Sequence, residues 1–208
     1  MSKEEKLREI EKKILACTRC ELHRYARNKV PGEGNPNAEV VFIGEAPGEE
    51  EDKQGRPFVG RAGKLLTKLI HEILELDRKD VYITNILKCR PPNNRDPKEE
   101  EIKACFPFLV EQLNVIQPRI IVCLGRFAAK TVFEYFGIKF TSITKIRGKP
   151  FEVYKWGKRV TLFATLHPAA ALYHKEWLSL IEEDFKRLRE IIKNPPKEDS
   201  GLLKFIKK

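Results

Sequence analysis

Glu39-Val-Val-Phe-Ile-Gly-Glu-Ala-Pro-Gly48 is a short apolar run that breaks into a turn. β-Branched and aromatic residues bounded by Gly and Pro predict a strand buried on both faces. Beyond the turn and a long loop, Arg61 to Leu76 has the periodicity of a helix. The same alternation recurs downstream. Val81-Tyr-Ile-Thr-Asn-Ile-Leu87 predicts a second strand, Pro91-Pro-Asn-Asn-Arg95 a loop, and Asp96-Pro97 the cap of a helix running through Val115. Arg119-Ile-Ile-Val-Cys-Leu-Gly125 predicts a third strand, with a helix from Arg126 to Phe136. Arg159 to Leu166 predicts a fourth, ending at His167-Pro168, before a closing helix from Tyr173 to Ile192. A hairpin-like Arg147-Gly148 segment precedes that last strand. Upstream, Leu7, Ile10, Ile14 and Leu15 mark an amphipathic helix that stops near Cys17, and residues 28–37 read as a loop. Strands alternating with helices predict an α/β fold with a parallel sheet covered on both faces and right-handed crossovers. Ligands gather at the carboxyl ends of such strands. Here those ends are Gly44-Glu45, Asn85 to Cys89, Gly125 and His167.

The chain has 208 residues, the size of one ordinary domain with a substantial core. Residues 1–193 are expected to form that domain, and 194–208 a linker and tail. Forty Lys and Arg face thirty Asp and Glu, leaving a formal charge of +10, while 41% of residues are apolar, which argues against disorder. No apolar run approaches the ~20 residues needed to cross a bilayer, and the first thirteen residues are charged rather than signal-like, so a soluble, cytoplasmic protein is expected. Glu outnumbers Asp 24 to 6, and Gln occurs three times, a profile of proteins that work hot. The basic excess draws polyanions, nucleic acid first, because each neutralised phosphate releases condensed counterions. Arg56, Arg61, Lys64, Lys88, Arg90 and Arg95 fall beside Gly- and Pro-rich turns, where sites are built, which makes them candidate DNA contacts.

Disulfides are disfavoured inside cells, so five cysteines ask for another explanation. Cys17-Thr-Arg-Cys20 is a C-x-x-C at a helix end, and Cys89 and Cys105 flank the Pro-Pro-Asn-Asn loop. These four converge if the first helix packs beside that loop. Four thiolates suit zinc or an iron-sulfur cluster, and unligated thiols are the third possibility. One close pair plus two remote single cysteines fits a cubane cluster better than zinc. Cys123, inside Ile120-Ile-Val-Cys-Leu124, is expected to be a small core residue.

The segment Gly55-Arg-Pro-Phe-Val-Gly-Arg-Ala-Gly63 is rich in glycine, but neither G-x-G-x-x-G nor the phosphate-binding G-x-x-x-x-G-K-[ST] is present, which disfavours a nucleotide cofactor. The acidic run Glu49 to Asp52 is weighed as a divalent-metal site and as a solvated face. The face is preferred, since consecutive acids scatter around a helix axis.

Taken together, Gly44-Glu-Ala-Pro-Gly48, Gly55-Arg-Pro-Phe-Val-Gly60, Thr84-Asn85, Lys88-Cys-Arg-Pro-Pro-Asn-Asn-Arg95 and His167-Pro-Ala-Ala170, with the four cysteines, resemble the family-4 uracil-DNA glycosylases, the iron-sulfur type of thermophilic bacteria and archaea. The likeness spans Cys17 to Leu188. It implies a three-layer α/β/α sandwich around a four-stranded parallel sheet, a [4Fe-4S] cluster on Cys17, Cys20, Cys89 and Cys105, and hydrolysis of the N-glycosidic bond of uracil in DNA to leave an abasic site.

The chemistry then assigns roles. An extruded base needs a pocket that reads its Watson–Crick edge, at a cost of a few kcal/mol of unstacking. Gly44, Glu45 and Ala46 are expected to contact the base, Phe58 to supply a stacking face, and Asn85 to offer a carboxamide to uracil N3–H and O4, a pairing that cytosine presents in reverse. Cleavage places negative charge on the base, so His167, neutral, is expected to donate to uracil O2, with the backbone N–H groups of Glu45 and Ala46 nearby. Better-studied uracil glycosylases carry Asp where Ala46 stands. Glu45, Asn93 and Asn94 are therefore the candidates for holding the attacking water. Leu172 and Tyr173 are candidate wedges into the duplex, the alternative being a simple helix start. A monomer is the default for an enzyme tracking along duplex DNA.

Leu202, Phe205 and Ile206 stand at the spacing of a sliding-clamp motif, weighed against docking of the tail on the protein's own core and against disorder. Two rival functions remain: a non-catalytic iron-sulfur nucleic-acid-binding protein, and a hydrolase of free nucleotides, whose small substrate would not exploit the charge.

Overall fold

The computed structural model describes residues 1–195. Its centre is set by strands too apolar to face water. β2 (Val40–Gly44) and β4 (Ile120–Leu124) are buried along their whole length, and β3 (Tyr82–Asn85) and most of β6 (Lys158–Thr165) are too. All four run parallel, in the order β3-β2-β4-β6. Side chains alternate across the pleat, so Val40 and Phe42 enter one core while Val41 and Ile43 enter the other. The first core is capped by α3 (Arg61–Glu72) and α8 (Lys175–Lys193), through Leu66, Ile70, Phe185 and Leu188. The second is capped by α1 (Lys3–Leu15), α4 (Glu99–Ile116) and α5 (Arg126–Tyr135), through Ile14, Leu109, Leu113 and Val132. Cys123 is wholly buried there, as expected of a core residue. The result is the three-layer α/β/α sandwich.

The sheet is wider than four strands. β1 (Glu33–Gly34) pairs antiparallel with β3 on one edge, inside the stretch expected to be a loop. Two residues carry no readable periodicity. Gly34 allows the pairing, because a side chain there would collide with the Val81 carbonyl. On the other edge β5 (Pro150–Lys155) forms an antiparallel hairpin with β6, which is what the Arg147-Gly148 segment leads into.

Helix boundaries differ where capping differs. The helix expected to begin at Asp96-Pro97 starts at Glu99, because the Lys98 N–H donates to Glu101 at 2.9 Å, while Asp96 pairs with Arg126. α3 ends at Glu72, short of Leu76. Three short α-helices, α2 (Glu49–Gln54), α6 (Ile143–Ile146) and α7 (Pro168–Ala171), and two single-turn 3-10 helices over Glu21–Arg24 and Pro92–Asn94 complete the description. No helix among the described residues is long and apolar enough to cross a membrane. The tail residues Leu202, Phe205 and Ile206, weighed above for clamp binding, lie outside the described residues.

Phe42, fully buried on β2, stacks on Phe185 of α8 with ring centroids 6.1 Å apart. Phe42→Ala is expected to remove ~3–5 kcal/mol of unfolding free energy in guanidinium titrations. A loss below ~1 kcal/mol would mean that the sheet and α8 are not packed through this ring.

Candidate active site

The ends of β2, β3 and β6 meet at one cleft of about 370 Å³, lined by Glu45, Ala46, Phe58, Asn85, Asn94 and His167 among others. Gly44 and Asn85 are register partners across β2 and β3. A side chain at Gly44 would lie 2.4 Å from Asn85 Oδ1 and 2.5 Å from Phe58 Cζ, so only glycine lets the ring and the carboxamide share this corner. Asn85 is 2% exposed, and its Oδ1 is buried with no hydrogen-bond partner among the described residues. A buried acceptor left unpaired is costly unless a ligand supplies the donor.

Phe58 is not an ordinary loop phenylalanine. Its φ of 49° is left-handed, a conformation that costs a β-carbon residue energy and persists only when its surroundings enforce it. Three neighbours do so. Arg78 donates to the Phe58 carbonyl at 2.9 Å and also to that of Pro57. Gly63, in the first turn of α3, leaves room for the Phe58 carbonyl where a side chain would clash at 2.0 Å. Glu51 accepts from the Val59 and Gly60 N–H groups, both at 3.0 Å. So fixed, the Phe58 ring faces the His167 imidazole at 5.6 Å between centroids.

His167 follows β6 and caps α7. The Ala169 N–H donates to its Nδ1 at 3.1 Å, so that nitrogen is the acceptor and the proton of the neutral ring sits on Nε2. Burial lowers the imidazole pKa to about 4, which keeps the ring neutral at pH 7. Glu45 moves the other way. Burial, with Asp96 adding repulsion and Arg126 opposing it, raises its carboxyl to about 7. The folded chain therefore keeps a proton on Glu45 that the unfolded chain releases from about pH 4.5, and this group's contribution to stability falls as pH rises from there to about 7.

Several expected residues stand elsewhere. Lys88, expected on a DNA-facing surface, is 1% exposed and bonded to Thr84, Asn85 and Gln112, so it cannot meet phosphate. Arg95 does line the cleft, held there bidentate by Glu101 at 2.6 and 3.0 Å. Asn94 lines the cleft and accepts from Arg90 at 2.7 Å, but Asn93 is exposed and does not line it. The acidic run divides by helix phase: Glu49 and Glu50 are exposed, Glu51 orders the Phe58 loop, and Asp52 is buried, taking the Arg27 N–H at 2.8 Å. Arg56 is paired with Glu33 in a groove of about 640 Å³ beside Phe58, which also contains Arg61 and Lys64, two cations without an ion-pair partner among the described residues. Tyr173, past the end of α7, is 78% exposed, with Leu172 half-buried beside it.

Arg78, Asp96 and Arg126 were invisible as site residues in the sequence. Arg78 stands in the charged turn Leu76-Asp-Arg-Lys-Asp80, with no local signal of its reach to Phe58. Cys17, Cys20, Cys89 and Cys105 line one cavity between α1, the Lys88-Cys89 segment and α4, although no three His, Cys, Asp or Glu side chains among the described residues are grouped as the ligands of a metal ion would be. Two sulfurs already accept backbone N–H groups, Cys105 from Lys88 at 3.3 Å and Cys17 from Arg19 at 3.5 Å.

The sequence profile of the Uracil DNA glycosylase superfamily matches residues 31–193. The type-4 uracil-DNA glycosylase of Sulfurisphaera tokodaii is 54% identical over 190 residues, covering 91% of this chain and 86% of that one. That of Archaeoglobus fulgidus is 53% identical over 187 residues, covering 90% and 94%. The Thermotoga maritima enzyme is 45% identical over 194 residues, covering 92% and 97%. The chain belongs to the uracil-DNA glycosylase superfamily. The profile takes in Gly44, Phe58, Asn85 and His167, the residues that meet at the cleft.

For His167, nitrogen-detected NMR is expected to find Nδ1 bare and Nε2 protonated, with no titration above pH ~5. An imidazole titrating near ~6.5 would contradict its burial and its bond to Ala169.

Proposed function

We propose that this chain is a uracil-DNA glycosylase that extrudes uracil from DNA and hydrolyses its N-glycosidic bond. The observation that carries the reading is the unpartnered Asn85 Oδ1 beside the Phe58 ring, opposite the imidazole of His167. A buried acceptor beside an amide NH2 asks for a ligand edge with a donor next to an acceptor. Uracil N3–H and O4 have that order, and cytosine has it reversed.

In this reading the base stacks on Phe58, and Asn85 accepts from N3–H and donates to O4. Breaking the bond leaves positive charge on the sugar and negative charge on the base. The neutral His167 donates through Nε2 to O2, a fixed dipole aimed at the developing charge, with the backbone N–H groups of Glu45 and Ala46 adding to it. The Glu45 carboxylate orients water or faces the sugar cation, with Asn94 as the second polar group at that wall. Arg61 and Lys64, with Arg56, supply the basic flank for the strand, and the exposed Tyr173 with its half-buried neighbour Leu172 is the candidate wedge.

Cys17, Cys20, Cys89 and Cys105 are read as the ligands of a [4Fe-4S] cluster. Support comes from their shared cavity, from backbone N–H groups already aimed at two of the sulfurs, and from Lys29 and Lys88 lining the same space to offset thiolate charge. Cys17 and Cys20 near the end of α1, Cys89 before the loop that carries Arg90 and Asn94, and Cys105 on α4 would hold such a cluster, and one bound by them would cross-link those three segments. The purified protein is expected to be brown, with absorbance near ~400 nm that Cys89→Ala abolishes; a colourless protein containing zinc would overturn the cluster assignment.

The activity is tested with an oligonucleotide carrying one uracil, treated with alkali after incubation. Strand cleavage at that position is expected, and its absence with an intact, folded protein would refute the reading. Glu45→Ala, Asn85→Ala and His167→Ala are each expected to lower single-turnover excision by about tenfold or more. The wild-type rate is expected to rise with pH through about 7 as the Glu45 carboxylate forms, and Glu45→Gln to flatten that rise. A profile unchanged by Glu45→Gln would remove Glu45 from the water-handling role.

A further inference from the structure

We infer that Lys88 is a positioning residue for Asn85: it holds the end of β3 from beneath, so that the carboxamide meets the base in one orientation. The inference rests on the reading of Asn85 given above.

Lys88 is among the largest fully buried side chains described, yet its ammonium faces no carboxylate within hydrogen-bond distance among the described residues. Its three donors are spent on three neutral oxygens: Thr84 Oγ1 at 2.6 Å, the Asn85 carbonyl at 2.9 Å and Gln112 Oε1 at 2.8 Å. Burying an amine in this way is expensive, and a methionine or leucine would fill the same space without that cost. What the amine adds is direction. Two of its bonds end on the last two residues of β3, one of them on Asn85 itself.

The anchor continues away from the cleft. Gln112, on α4, donates to the Pro31 carbonyl at 2.9 Å, and Thr84 donates to the same carbonyl at 2.8 Å. Lys88 is thereby braced between α4, the segment preceding β1 and the strand end. The Asn85 carboxamide needs such bracing. Its Oδ1 has no partner among the described residues, so no hydrogen bond accepted by that oxygen orients it. The backbone must place it, and Lys88 is the side chain that grips that backbone carbonyl. The main-chain N–H of Lys88 also donates to Cys105 Sγ, so the same residue ties the strand end to the cysteine cavity.

Full-length Lys88→Met and Gln112→Leu separate this role from simple stability. Gln112 does not line the cleft, so an effect of its loss on base recognition must pass through Lys88. Three readouts are taken well below each variant's melting temperature: single-turnover excision of uracil, inhibition by free uracil, and affinity for DNA carrying an abasic-site analogue. Free uracil uses the Asn85 edge, whereas abasic DNA does not. For Lys88→Met, excision and free-uracil inhibition are both expected to weaken about tenfold, with abasic-DNA affinity within about twofold of wild type. Gln112→Leu is expected to move the same two readouts in the same direction by about threefold, and it serves alone if Lys88→Met does not fold. Asn85→Ala is run beside them. Folded variants with wild-type excision and inhibition, next to an impaired Asn85→Ala, would overturn the role of Lys88 alone. A wild-type Asn85→Ala would instead overturn the reading of Asn85 on which it rests.

Discussion

The site depends on a side chain that is absent. At the end of β2 the Phe58 ring and the Asn85 carboxamide both occupy the space that a β-carbon on Gly44 would need. Every other feature of the cleft is arranged around this crowding. Phe58 reaches it by taking a left-handed backbone conformation, and Arg78, Gly63 and Glu51 hold that conformation in place. Strain of this kind costs on the order of 1–3 kcal/mol and must be balanced by the surrounding contacts. A guanidinium on two consecutive carbonyls and a carboxylate on two consecutive N–H groups are contacts of the required strength.

Around that corner the electrostatics are opposed by design of the backbone. His167 stays neutral because it is buried and because a helix N–H occupies Nδ1, leaving one donor aimed by the ring itself. Glu45, a short distance along the same wall, is shifted up by burial and by Asp96. One group is thus a fixed dipole across neutral pH while the other changes charge within it. That division suits a reaction in which a departing anion needs a donor and a sugar cation needs only a weakly basic neighbour. The basic excess does less than its total suggests. Arg56, Arg95 and Arg126 are each paired with a carboxylate, and Lys88 is internal.

How much of this the sequence disclosed follows from how local each signal is. The four parallel strands were legible because each is a continuous apolar run, and burial on both faces leaves no other place for it. β1 was not, since two residues have no period, and β5 was glimpsed only as a hairpin because it is an edge strand with alternating exposure. Phe58, Asn85 and His167 were legible as a set through the resemblance, and they do meet at one cleft. Lys88 misled because a cation in a basic, Pro-rich motif looks solvent-facing, and the three oxygens that claim it come from α4 and β3; the Glu101 carboxylate that holds Arg95 at the cleft, also from α4, was equally out of sight. Glu51 and Asp52 were recoverable in principle, since successive helix residues turn by about 100° and four in a row cannot all face water. Arg78 was not, because nothing in a charged turn records a contact twenty residues back.

In the proposed reaction the Asn85 carboxamide, bared by Gly44, receives the N3–H of an extruded uracil stacked on Phe58. A crystal structure with duplex DNA bearing a 2′-fluoro-deoxyuridine, whose glycosidic bond resists cleavage, tests this directly. The base is expected inside the cleft with N3 at ~2.7–3.2 Å from Asn85 Oδ1. A uracil that remains stacked in the duplex, or that enters the cleft with N3 turned away from Asn85, would contradict it.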